Sequence, residues 1–427
     1  MSSAPRRPRI LIIGAGFGGL TAAQSLAKAP ADILLIDRRN YHLFQPLLYQ
    51  VATAALSPAE IAVPIRAVLR GQENITILMD EAVGIDTKAR LVRLRRGSPT
   101  PYDHLILATG SAYSYFGHED WPRFAPGLKS IDDATRIRAQ VLRAFEEAET
   151  CEDEAARRRL MSFVLVGAGP TGVEMAGALA ELAHAALARD FRHIVPKETR
   201  ILLVEAGPRI LASFPDRLSQ AALRSLRQMR VEVALDTAIE AIDEKGVIAN
   251  GKRIAAATVI WCAGVSATPV ASWLGVAPGP GGALKVAPDL SVPGCPEIFV
   301  IGDAAFITDE KGRRLPGVAP SAKQQGHYVG DLLRRRLTGK PAPPPFRYRD
   351  QGQLATIGRA RAVADLSWMQ LWGFPAWLLW GIVHIYFLIG FRNRVVVFLN
   401  WFWAWLTYGR GARLITGERK FDSTGSE

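Results

Sequence analysis

Gly14, Gly16 and Gly19 stand at the spacing Gly-x-Gly-x-x-Gly, and Gly167, Gly169 and Gly172 repeat it. The first glycine of such a set permits a tight turn, the second lets backbone amides approach a pyrophosphate, and the third lets a helix lie close on a strand. The start of that helix adds a partial positive charge facing the phosphates. Each set is followed by an acid at the end of an apolar run: Asp37, 23 residues after Gly14, and Glu205, 38 residues after Gly167. A carboxylate there accepts hydrogen bonds from ribose hydroxyls. At Glu205 it would repel a 2′-phosphate, which favours NADH over NADPH, although Arg209 lies close by and works the other way.

These residues need particular elements around them. RILII (9–13) is a short β-branched run, as in a strand buried on both faces. It leads through the first glycine loop into an Ala/Leu-rich helical stretch, and ADILLID ends in Asp37. SFVLV, the second loop, an Ala-rich helix and RILLVE repeat the pattern, with RDFRHIVPKET inserted before the last strand. The chain therefore reads as α/β with two Rossmann-like dinucleotide-binding units. HLILATG (104–110), VIWCAGV (259–265) and EIFVIGDAA (297–305) read as further strands that end on glycine turns. Two loops imply two dinucleotides, and the economical assignment is FAD on the first and NADH on the second, with hydride passing from nicotinamide to flavin. Glu174 reads either as a first-turn acid favoured by the helix dipole or as a carboxylate at the nicotinamide–flavin junction. Asp303 reads as a helix N-cap that also reaches flavin ribityl or phosphate groups.

At 427 residues two or three domains are expected. The net charge of +12 suggests an anionic partner. No zinc-ligand spacing or aromatic RNA-binding stretch is present, so no nucleic-acid partner is expected. Cys151, Cys262 and Cys295 form no CxxC pair, which suits a reducing compartment. The apolar stretch after the N-terminal arginines runs straight into a glycine loop and reads as a strand, not a signal peptide. PAPPPF (341–346) looks like a linker, and seven of the ten tryptophans lie between 368 and 405. Residues 374–391 carry no Asp, Glu, Lys or Arg. As one helix they would extend ~27 Å, close to the ~30 Å hydrocarbon core. Trp377 and Trp380 lie well inside the run, however, and the next run (395–408) is too short to span. The better reading is a helical pair lying on the bilayer, bracketed by Arg392, Arg394, Arg410 and Arg413. A core or dimerisation helix is the competing reading, which leaves a homodimer open.

With two Rossmann units, ATG at 108–110 and GD at 302–303, the chain resembles the two-dinucleotide-binding-domain flavoproteins. Where disulfide reductases of that superfamily carry a cysteine pair, residues 38–66 have none. That segment, VGAGPTGVEMAGALAEL, VEAGPRIL, WCAGV and the Trp-rich C-terminus with GFRNR resemble type II NADH dehydrogenases, the single-subunit, non-proton-pumping NADH:quinone oxidoreductases. The resemblance implies an FAD domain in two parts (1–112 and 286–345), an NADH domain (113–285) and a C-terminal region (346–427) for membrane anchoring and quinone access. The FAD contacts it implies are Gly14, Gly16, Phe17, Gly18, Gly19, Asp37, Arg38, Val83, Ala108, Thr109, Gly110, Gly302, Asp303 and Ala319. Those for NADH are Gly167, Gly169, Thr171, Gly172, Glu174, Glu205, Ala263 and Gly264. The family's quinone motif, roughly Ala-Gln-x-Ala-x-Gln, is matched in VAPSAKQQG by Ala319, Ala322 and Gln324, while Pro320 replaces the first Gln. Ala322, Gln324 and Gln325 are thereby implied at the quinone, with Glu174, Gln324 and Lys323 as catalytic candidates. The implied partners are NADH, a membrane quinone and anionic lipid head groups, and the implied location is the cytoplasmic face of the cell membrane. The competing readings are a sulfide:quinone reductase, which needs reactive cysteines, and a non-catalytic basic flavin-binding protein.

Overall fold

The computed structural model of the chain describes residues 6–407 and 409–416, so Tyr408, the last residue of the second apolar run, lies outside it. The chain forms two compact units, one built from Met1–Leu43, Ala62–Ser114 and Val265–Gln351, the other from Phe44–Ile61, Tyr115–Gly264 and Gly352–Glu427.

The first unit is built on a six-stranded sheet. Its order is Ser291–Val292, Cys295–Val300, His104–Leu107, Arg9–Ile13, Asp32–Asp37, Ile75–Met79, with only the first pair antiparallel. Ile10, Leu11 and Ile12 are fully buried, which is why the central strand is an unbroken apolar run. The helices Phe17–Ser25 and Ala319–Leu337 pack on each other; Gly326 lets them touch, since a Cβ there would stand 2.1 Å from Gly18 O. The 341–346 segment has no regular structure but is not a free linker. Phe346 N–H donates to Pro288 O, and its ring meets Tyr328 edge-on.

The second unit repeats the theme with a parallel sheet ordered Val231–Ala234, Arg200–Val204, Ser162–Val166, Thr258–Trp261. In both sheets the strand before the glycine loop sits where the strand order reverses, the position at which doubly wound sheets open a crevice for ligands. A three-stranded antiparallel sheet, Gln353–Gly358, Arg361–Asp365 and Gln370–Gly373, follows at the C-terminal end. It lies against the helix Pro170–Glu181, and Arg217 stacks 4.3 Å over the Trp372 ring.

The 374–391 run is not one helix. It forms Phe374–Phe387, then breaks at Leu388 and Gly390 (φ +89°), and Phe391–Thr407 is a second helix. At 1.5 Å per residue they extend ~21 and ~26 Å. No helix among the described residues is long and apolar enough to cross a membrane.

Candidate functional site: two dinucleotide loops and an aromatic cavity

Both glycine loops have the same construction. Gly14 and Gly167 adopt φ of +99° and +97°, so a side chain at either is strained. A Cβ on Gly14 would also stand 2.3 Å from Ala108 O, and one on Gly167 2.7 Å from Ala263. Gly19 and Gly172 press on the carbonyls of Gly14 and Gly167, while Gly16 and Gly169 face open space. That space is what a phosphate group would fill. Neither Phe17–Ser25 nor Pro170–Glu181 has a side-chain cap, so N–H groups of each first turn remain for an anion.

The acids are held in matching ways. Asp37 accepts from Ala15 N (2.6 Å) and Arg39 N (2.8 Å); Glu205 accepts from Ala168 N (2.7 Å) and Gly207 N (2.9 Å). Each carboxylate is thus fixed beside its loop. Arg209 lies 3.7 Å from Asp216 and donates to Ala212 O, so its charge is already partnered.

Around the first loop, Ala108 and Thr109 follow the third parallel strand, Thr109 and Thr268 share a hydroxyl–hydroxyl bond, and Gly110 takes positive φ. Asp303 lies in the short 3-10 turn Gly302–Ala304 and accepts from Ser111 Oγ (2.6 Å); it is not an N-cap. Phe17 and Gly18 open the first helix, Gly18 faces Ala322 O, Arg38 directly follows Asp37, and Val83 is exposed on Ala82–Asp86. Sequence reasoning passed over His42. It is buried, its Nδ1 bonds Ala15 O, its ring meets Phe17 edge-on, and its Nε2 has no hydrogen-bond partner among the described residues. Burial holds it below the usual imidazole range, with the positive charge of Lys323 adding to the effect. An orphaned polar atom beside a pyrophosphate loop fits a bound dinucleotide.

The quinone-motif residues open the helix Ala319–Leu337. Pro320 falls in its first turn, where a missing N–H costs nothing, so the replacement of Gln is sterically accommodated. Gln324 exchanges both ends of its amide with the backbone of Arg349 (2.8 and 2.9 Å). Gln325 accepts from Gly302 N (2.7 Å) and donates to Ser321, which fixes the Gly302 turn. In the second unit, Thr171 lies in the first turn of its helix and Ala263 and Gly264 follow the strand Thr258–Trp261.

Glu174 departs from expectation in one respect. The helix begins at Pro170 and its first turn contains no acid, so Glu174 lies beyond reach of a first-turn dipole effect. It instead lines a cavity of about 120 Å³ within the second unit. Tyr49, Gln50 and Thr53 form one side of that cavity, and Trp377, Trp380, Trp401 and Trp405 of the C-terminal helices form another. Burial pushes the Glu174 carboxyl up to about 8; a long contact from Thr356 N (3.4 Å) offsets little of this. At neutral pH it therefore holds a proton.

Arg410 corrects another expectation. It is 8% exposed, donates to Thr53 O (2.6 Å) and pairs with Glu181 (3.2 Å), so it closes the cavity and is not a head-group anchor. Arg413 pairs with Asp190, while Arg392 is exposed. Three hydrogen bonds tie the second C-terminal helix to the 50–60 segment: Trp401 Nε1 to Gln50 Oε1 and Asn400 Nδ2 to Glu60, both 2.7 Å, and Asn393 Nδ2 to Ala59 O at 3.4 Å. None of these partners was visible in the sequence, because the residues that meet are more than 200 positions apart.

The chain matches the pyridine nucleotide-disulphide oxidoreductase family over residues 8–326 and the NDH2 C-terminal domain over 351–411. It is 43% identical to the type II NADH:quinone oxidoreductase Ndh of Mycobacterium tuberculosis, over 98% of this chain and 93% of that one. The chain belongs to the type II NADH:quinone oxidoreductases. A second relative from the same organism, NdhA, is 42% identical over 96% of this chain and 90% of its own. The fold matches the structure of NDH2 from Plasmodium falciparum in complex with NADH, with a TM-score of 0.84 at 21% identity, covering 95% of this chain and 99% of that one. A type II enzyme uses FAD and NADH, and the two open loops, uncapped helices and orphaned His42 nitrogen suit both dinucleotides. The three cysteines are free, and burial pushes the Cys262 thiol up to about 12, far from a reactive thiolate.

Proposed function

We infer that this enzyme oxidises NADH and reduces a membrane quinone without pumping protons, and that the aromatic cavity of the second unit receives the quinone head. The observation that carries the cavity assignment is Glu174, a protonated carboxyl set into a wall of indoles. Flat aromatic walls suit a quinone ring, and a carboxylic acid can donate to a carbonyl oxygen that must finally become a hydroxyl.

Bound FAD supplies the two-electron relay from NADH to quinone. The chain's own residues do the remaining work. The first loop, with Gly14, Gly16 and Gly19, takes the FAD pyrophosphate; Asp37 holds the ribose, and Asp303 and Gly302 the distal flavin groups. The second loop, with Gly167, Gly169 and Gly172, takes that of NADH. Glu205 accepts the ribose hydroxyls and disfavours a 2′-phosphate. Glu174 keeps a proton at its carboxyl oxygen until the quinone needs it. Gln324 is oriented by its two bonds to Arg349, and its second amide N–H and second carbonyl lone pair remain for the quinone. Functionally, residues 1–112 and 286–345 serve FAD, 113–285 serve NADH, and 346–427 serve membrane and quinone access.

The enzyme rests on the cytoplasmic face of the cell membrane. Phe374, Leu378, Ile382 and Tyr386 recur every fourth residue and are all exposed, as are Phe391, Phe398, Leu399, Phe402 and Leu406. Exposed apolar stripes on two short helices suit a bilayer interface, and exposed Arg392 suits anionic head groups.

Anaerobic titration of the purified enzyme with NADH tests the reading. The flavin band near ~450 nm, a property of the cofactor, should bleach and return on addition of quinone. A colourless protein, or a reduced one that quinone does not reoxidise, would refute it.

A further inference from the structure

We propose that Trp380 is the hydrogen-bond donor that holds a carbonyl oxygen of the quinone head; this rests on the reading that the aromatic cavity receives the quinone.

Several polar groups lining the cavity are committed to bonds within the protein. Trp401 Nε1 donates to Gln50 Oε1 (2.7 Å), Gln50 Nε2 to Tyr49 Oη (2.9 Å), and Arg410 spans Thr53 O and Glu181. Trp380 takes no part in these side-chain bonds. It is 3% exposed and lines the cavity, yet its indole N–H has no acceptor among the described residues. The ring has little freedom to find one. It stacks on His384 at 4.3 Å between centroids and tilts against Trp401 at 5.0 Å. His384 is itself fixed by its bond to Trp380 O (2.7 Å), and burial keeps its imidazole neutral, at about 4.

A buried donor without a partner is costly and uncommon. Its retention beside a cavity marks the place where a ligand brings the acceptor. Among its donors the cavity offers the Trp380 N–H and the protonated Glu174, set between apolar aromatic walls. A planar ligand whose only polar groups are carbonyl oxygens satisfies both and leaves none of its own polar atoms unpaired. The indole N–H serves the diphenol product equally well, because a hydroxyl oxygen still accepts. Trp380 is a positioning residue here: it moves no proton and sets where the ring lies.

The test uses the flavin-loaded full chain in liposomes. Trp380→Phe removes the donor and keeps an aromatic ring. Incorporation of β-(3-benzothienyl)alanine at position 380 keeps the bicyclic shape and replaces only N–H by sulfur. Both are expected to raise KM for a short-chain quinone about three- to tenfold, the scale of one neutral hydrogen bond. The rate of flavin bleaching by NADH should stay within about twofold. Neither should lower Tm, because replacing an unpaired donor with an apolar group of like shape is close to neutral. Trp401→Phe, which breaks a bond satisfied inside the protein, should lower Tm and so provides the contrast. An unchanged quinone KM in the benzothienyl variant would overturn the proposal, even if Trp380→Phe raised it, since the effect would then be packing. A wild-type enzyme that NADH reduces but quinone does not reoxidise would overturn the cavity reading and this inference together.

Discussion

Asp37 and Glu205 sit at equivalent corners of two sheets, each pinned by two backbone amides, and only one of them faces a diffusing substrate under our reading. Because Glu205 cannot swing away from its loop without giving up the bonds from Ala168 N and Gly207 N, a 2′-phosphate would meet a fixed negative charge. Glu205→Ala should therefore lower kcat/KM for NADH about tenfold or more and narrow the NADH-to-NADPH ratio, with little change in flavin content. Steady-state kinetics with both nucleotides checks this, and an unchanged ratio would count against the assignment. Glu174 gives a test in pH. Its pKa is raised from 4.5 to about 8 in the folded protein, so the native state holds a proton that the unfolded chain releases. Its contribution to stability is fully present below about pH 4.5 and is lost as pH rises through about 8. Thermal melts of Glu174→Gln against wild type should nearly coincide at pH 5 and diverge toward pH 8, with the variant the more stable. The glycines and the two acids were legible in the sequence because their spacing is local. The environment of Glu174 was not: its position could be read, but Tyr49, Trp380 and Trp401 reach it from distant stretches of chain.

At the level of elements, the tightest join in the second unit is the helix Pro170–Glu181 against the strand Gln353–Gly358. A Cβ on Gly177 would lie 1.6 Å from Ile357 O, a backbone atom that cannot yield alone. Gly177→Ala should cost about 1–3 kcal/mol by overpacking, read as a lower Tm, and should displace the sheet that supports the cavity. Quinone reduction is then expected to fall more than flavin retention. The parallel strands were legible as unbroken apolar runs because both of their faces are buried. The C-terminal sheet was missed for a physical reason: its strands carry small residues and arginines (ATIG, RAVAD) next to a run of tryptophans that dominates any reading by hydropathy. The helix break at Leu388–Gly390 escaped notice for the same cause, since Gly390 is one residue in an otherwise continuous greasy segment.

For the molecule as a whole, the exposed apolar stripes should govern partition onto membranes. Leu378→Gln combined with Phe402→Gln removes one exposed side chain from each C-terminal helix. It should weaken sedimentation with anionic liposomes at least tenfold, given ~1.5–3 kcal/mol for fully burying such a side chain. Reduction of a soluble artificial acceptor such as ferricyanide should be spared, and undiminished sedimentation would remove the case for these faces as the contact. The overall charge of +12 further implies weaker association with neutral vesicles and at high salt.

The indoles that line the cavity and the side chains that face outward belong to the same two short helices, and Gln50, Glu60 and Thr53 fasten the second helix and the segment after it to the protein. Under our reading, grip on the lipid and the shape of the cavity are therefore coupled through the same two helices. If these helices hold the bilayer as proposed, a detergent that strips it away pulls on the same clamp that gives the cavity its shape, and turnover measured in micelles should report the state of that clamp.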